Sequence, residues 1–67
     1  SNVAEGSVRT NKSFSHFLDI ALGSSFELST QLIIAENRGY ISELELTKIE
    51  DKIEEFQKMT MSFQNKL

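Results

Sequence analysis

The chain has 67 residues, 39% hydrophobic and 25% charged, with a formal net charge of -3 and no cysteine or proline. That length allows one domain near the lower limit for independent folding. Without cysteine, neither disulfides nor a thiolate zinc site can staple a small core. The balance is that of a globular chain rather than a disordered tail, and the net negative charge argues against a polyanion-binding surface. No uninterrupted apolar run approaches the roughly 20 residues that span a bilayer, and the N-terminus lacks a basic-then-apolar leader. A cytoplasmic location away from any membrane is expected.

Residues 1–6 have no period of their own. Val3-Ala4-Glu5 followed by Gly6 reads as the last turn of a helix with its glycine stop. Because nucleation costs more than one turn returns, the segment reads as the end of an upstream helix. Ser7 to Asn11 is polar, and Thr10 or Asn11 suits the N-cap of a long helix over residues 11–38. On that helix Phe14, Phe17, Leu18, Leu22, Leu28 and Leu32 share one side, widened by Phe26 and Ile33. The apolar arc covers roughly half the circumference, more than one partner helix needs. Ile20 and Ile34 lie on the far side with Gly23 between them and Thr30 in line. Interior glycine costs about 1 kcal/mol against alanine, which suggests close approach of another backbone there; a tolerated defect is the plainer reading. Ile20, Gly23, Phe26, Thr30, Ile33 and Ile34 are therefore the candidate oligomer interface.

Gly39 is placed as a left-handed stop after Arg38, with Tyr40 folding back on Ala35 in a Schellman closure. Ser42-Glu43-Leu44-Glu45 is a capping box, with Ile41 and Leu46 as its hydrophobic staple. It opens a second helix over residues 43–66. Leu46, Ile49, Ile53, Phe56, Thr60, Phe63 and Leu67 then recur at steps of three and four, a heptad seam expected to face the first helix. Glu54 and Lys58 form an i,i+4 pair in the better orientation. A joint of about three residues makes the helices antiparallel, so the fold class is an all-α helical hairpin.

Several motifs together resemble a known family. Ser-Asn-Val-Ala-Glu-Gly at residues 1–6 followed by Arg9 is similar to its opening signature; Phe17-Leu18-Asp19-Ile20-Ala21-Leu22-Gly23-Ser24 is similar to its "FL-IA-GS" stretch. Glu27-Leu28-Ser29-Thr30-Gln31-Leu32 with Ala35 matches its "EL-TQL--A". The family is that of the four-helix-bundle proteins encoded in intervening sequences of large-subunit ribosomal RNA genes. The resemblance implies that this chain is the C-terminal half of an up-down four-helix bundle and that it forms ring-like homo-oligomers. It also implies an alternative function, since a related branch assists reverse transcription in retroelements through a basic, nucleic-acid-binding surface. The chain departs from the family pattern near Val8, where a second glycine is usual, and near Ser13, where an acid is usual.

Chemistry is sparse. His16 is the one histidine, with only Asp19 a turn away, so no metal site or Ser-His-acid set can be assembled. Neither helix carries the Glu-x-x-His pair of di-metal bundles. Glu27 and Gln31 read as a polar pair fixing register. Arg9 and Lys12 are the candidate contacts to RNA or DNA, although two cations without aromatic company are more often a solvated turn. Glu43 to Glu55 holds six acids against Lys48 and Lys52, a net of -4, and would repel a phosphate backbone. The reading is a self-associating structural or interaction module, with no enzymatic activity, metal or cofactor. A dimer of hairpins is its simplest form and a larger ring the next.

Overall fold

The computed structural model describes the backbone of residues 2–67 and the side chains of residues 10–67. Two helices, α1 (Asn2–Asn37) and α2 (Glu43–Gln64), run antiparallel and pack along one another. The hairpin is slender, with extents of 57 × 16 × 11 Å.

The first helix differs from expectation at its start. It passes through Gly6, Thr10 and Asn11 without a break, so neither Thr10 nor Asn11 is an N-cap. With no proline in the segment nothing forbids continuation, and one interior glycine costs less than ending one helix and nucleating another.

The joint follows the sequence closely. Gly39 sits at φ +79°, where a side chain would be strained. The Tyr40 amide donates to the Ala35 carbonyl at 2.9 Å and the Gly39 amide to Glu36 at 2.9 Å, the paired bonds of a Schellman closure. The Tyr40 ring takes no part and stays 76% exposed. Glu45 donates its amide to Ser42 Oγ at 3.0 Å, and Ser42 donates its own amide to Glu45 Oε1 at 3.0 Å. Those bonds, the backbone one first, hold the Glu45 carboxyl below its ordinary pKa. Ile41 and Leu46 are both half-buried around this cap. Apart from the start of α1, helix ends fall within two residues of expectation, inside the usual fraying.

The seam between the helices corrects the sequence reading. α2 faces α1 with Leu46, Glu50, Ile53, Gln57, Thr60 and Gln64, its most buried positions. The expected heptad is rotated to one flank: Ile53 and Thr60 are buried, but Ile49, Phe56, Phe63 and Leu67 remain exposed at the edge. From α1 the seam takes Ser15, Leu18, Leu22, Ser25 and Ser29. Only Leu22 and Ile53 are buried apolar residues among those described. Leu18 and Leu46 are half-buried in the seam, and most of its remaining positions form a polar ladder. Gln57 Nε2 donates to Ser25 Oγ at 3.1 Å, and Ser25 donates to the Leu22 carbonyl at 2.7 Å. Ser29 Oγ donates to Glu50 Oε2 at 3.2 Å. Gln64 Nε2 reaches the Ser15 carbonyl at 2.9 Å and Asp19 Oδ1 at 2.8 Å.

A further observation concerns hydropathy. Thr10–Asn37 is, by length and composition alone, long and apolar enough to cross a membrane, its most apolar 18-residue stretch having a mean hydropathy of 1.2. Serines, Thr30, Gly23, Asp19, Glu27 and Gln31 interrupt its apolar residues, so no unbroken run is long.

Candidate interaction surface

Two flanks border the seam, and they are not alike. On one, Phe14, Phe17, Ala21 and Leu28 of α1 stand beside Ile49, Phe56, Met59 and Phe63 of α2. Phe14 and Phe63 meet edge to face, with centroids 5.6 Å apart and planes at 81°. Such a pair contributes about 0.5–1.5 kcal/mol beyond area burial. A groove of about 340 Å³ runs between Leu28, Ala21, Ile49 and Phe56, bordered by Lys52. A second of about 320 Å³ continues past Phe56, Leu18, Phe14 and Phe63. Phe17 and Met59, each 62% exposed, form the outer lip.

The opposite flank is narrower and more polar. Asp19, Phe26 and Ile33 form a row at seven-residue steps on α1, beside Glu50, Glu54 and Met61 on α2. Phe26 is 55% and Ile33 48% exposed. Glu54 pairs with Lys58 at 3.0 Å as its spacing implied, but both are solvated and the pair contributes little. Glu50 Oε1 is buried and has no partner among the described residues.

The structure thus separates the six expected interface residues. Phe26 and Ile33 lie on this second flank, while Ile20, Gly23, Thr30 and Ile34 line the back of α1, turned away from α2. Among the described residues, nothing beyond the surrounding turns of its own helix lies within 4 Å of where a Cβ at Gly23 would stand, so the hairpin itself does not require a glycine there. Thr30 Oγ1 is satisfied by the Phe26 carbonyl at 3.3 Å. Periodicity assigns Ile49, Phe56 and Phe63 to the interhelical seam, so the aromatic flank is missing from the surface expected from the sequence. Lys12 is exposed and borders a hollow with Asn11, Ser15, Gln64 and Leu67. Its expected companion Arg9 lies outside the described side chains. His16 is exposed, and among the described residues no three metal-ligating side chains gather.

The chain is thus a slender antiparallel helical hairpin with an exposed aromatic side. The family model for the 23S rRNA-intervening sequence protein matches residues 1–62, and the chain belongs to that family. No curated protein and no solved structure matches it.

Proposed function

We propose that the chain is a non-catalytic, self-associating module of the cytoplasm, in which the aromatic flank of one hairpin closes on that of another to complete a four-helix core. The observation that carries this reading is the flank itself: Phe14, Phe17, Ile49, Phe56, Met59 and Phe63 all remain at least one-third exposed on a single side. Soluble monomers rarely leave so contiguous an apolar surface uncovered. Each large side chain removed from water contributes about 1.5–3 kcal/mol. The seam inside the hairpin, with two buried apolar residues, supplies little by comparison.

Packing in a bundle also accounts for α1 better than a bilayer does. Asp19 and Glu27 fall within its apolar stretch, and an acid at a membrane centre costs about 2.5–3.5 kcal/mol. Asp19 is engaged by Gln64 of α2, a contact that belongs to helix pairing in water.

Sedimentation across a dilution series tests the proposal. The expected particle is a multiple of 7.6 kDa, dissociating with loss of helicity on dilution. A fully helical 7.6 kDa particle at micromolar concentration would show that the hairpin suffices alone. A parallel titration with RNA at low salt separates the alternative, a nucleic-acid-binding accessory role: binding that falls steeply with added salt supports that role instead.

A further inference from the structure

The aromatic flank changes character along its length. At one end Phe14 of α1 meets Phe63 of α2. Seven residues on along α1 and seven back along α2 stand Ala21 and Phe56, and after a further seven Leu28 and Ile49, all four lining one groove. The flank is thus three layers, about 10 Å apart at a rise of 1.5 Å per residue. The first layer is a ridge, with Phe17 and Met59 standing beside it. Between the second and third lies the groove of about 340 Å³, whose α1 wall includes the small residues Ala21, Ser24 and Ser25.

Resting on the self-association proposed above, we infer that the ridge of each copy seats on the groove of the other, in an antiparallel two-fold pair whose axis crosses the Ala21–Phe56 layer. Such an axis brings α1 over α1 and α2 over α2 in reverse. Only residues beside the axis, Ala21 and Phe56, meet their own equivalents; every other residue meets a different one. Phe14 then lies over Leu28 of the second copy, Phe63 over Ile49, and Phe17 over the small Ser24. Volume favours this arrangement over the other two-fold, in which the copies point the same way. That alternative gathers four phenylalanines in one end layer and only leucine and isoleucine in the other, which forces the helices apart or leaves a void. The antiparallel pair gives both end layers the same content. Charge favours it too. Glu45, Lys52, Met59 and Lys66 form the next row on α2 at seven-residue steps, with Lys52 and Met59 bordering the grooves. Reversed about Phe56, the row sets Glu45 near Lys66 of the second copy and lays the Lys52 stem along Met59. In the parallel pair it faces Phe17, Ser24 and Gln31 instead, which carry no charge. Because each copy fills the other's groove, the contact is closed and assembly stops at two chains.

The chain has no cysteine, so introduced thiols report the register without background. Sedimentation of the parent comes first, with an expected particle of twice 7.6 kDa. Single-cysteine variants are then oxidised mildly and the linked pairs read by mass. Ala21→Cys should link to itself, because the two residues stand side by side across the axis. In the parallel pair they lie on a diagonal of the core, beyond the Cα separation of about 7 Å that a disulfide spans. Lys52→Cys mixed with Met59→Cys should form a linked heterodimer, and mixed with Ser24→Cys should not. Leu44→Cys, 65% exposed, should stay unlinked. If circular dichroism shows that Ala21→Cys disturbs folding, the two mixtures decide alone. A dimer in which Lys52→Cys links to Ser24→Cys rather than to Met59→Cys overturns the antiparallel register and leaves self-association standing. So does a particle larger than two chains, which overturns the closed pair. A monomeric parent removes both.

Discussion

The seam between the helices and the aromatic flank beside it are built on opposite principles. Along the seam Ser15, Ser25 and Ser29 meet Gln64, Gln57 and Glu50, and geometry is fixed by side-chain hydrogen bonds. A quarter-turn away, Phe14, Ile49, Phe56 and Phe63 form a contiguous apolar surface that remains 37–48% exposed. The seam specifies how the two helices lie; the flank holds the free energy that becomes available when something covers it. A polar contact adds only about 0.5–1.5 kcal/mol net, but misplacing it leaves groups unpaired, so it discriminates more than it stabilises.

Substitutions that unbalance these two regions sharpen the contrast. The largest effect is expected from Phe56→Glu, which places a charge at the centre of the aromatic flank. Assembly should be lost at micromolar concentration, with helicity falling alongside, by sedimentation and circular dichroism. An unchanged particle mass would show that the flank is not the surface that associates. Next comes Ile53→Ala at one of the two buried apolar positions, expected to destabilise by about 2–4 kcal/mol in denaturant melts. A value under 1 kcal/mol would mean that the seam contributes no hydrophobic stability at all. Gln57→Ala should be milder, about 1 kcal/mol, since Ser25 keeps its bond to the Leu22 carbonyl. If it instead equals Ile53→Ala, the ladder is a source of stability rather than of alignment.

The smallest effects lie at the joint, apart from both regions. Ser42→Ala should cost about 1 kcal/mol through loss of the cap, without altering particle mass. Glu45 adds a pH dependence whose sign follows from its lowered pKa. Its contribution is fully present above the unfolded-state value of about 4.3 and is lost as pH falls through the lower folded value. Melting temperature should therefore drop below about pH 4.5 in the parent and less so in Glu45→Gln. Equal slopes for the two would show that the carboxylate is not what titrates.

Local signals were legible in the sequence wherever one residue type alone satisfies the backbone. Gly39 at its positive φ, the Schellman bonds, the Ser42–Glu45 box and the Glu54–Lys58 pair are all set by near neighbours. The family was legible from collinear motifs between Ser1 and Tyr40. What escaped was rotational. Periodicity shows that Ile49, Phe56 and Phe63 share a side of α2, but not which neighbour that side meets. Ser15, Ser25, Gln57 and Gln64 are ordinary surface residue types, and nothing in their spacing announces that they pair across the hairpin. The long start of α1 escaped for a different reason: Gly6 is a good stop only when the chain has somewhere better to go.

The ladder also measures length. Its outer rungs, Ser29 to Glu50 and Ser15 to Gln64, are 14 residues apart on α1 (29 − 15) and 14 on α2 (64 − 50). Two heptads on one helix are thus gauged against two on the other. An insertion or deletion between the rungs on either helix, even one that preserved every apolar residue, would put one rung out of reach of its mate. Relatives of this chain should therefore vary in length around the Gly39 turn and beyond Gln64, and hold constant length between Ser15 and Ser29 and between Glu50 and Gln64.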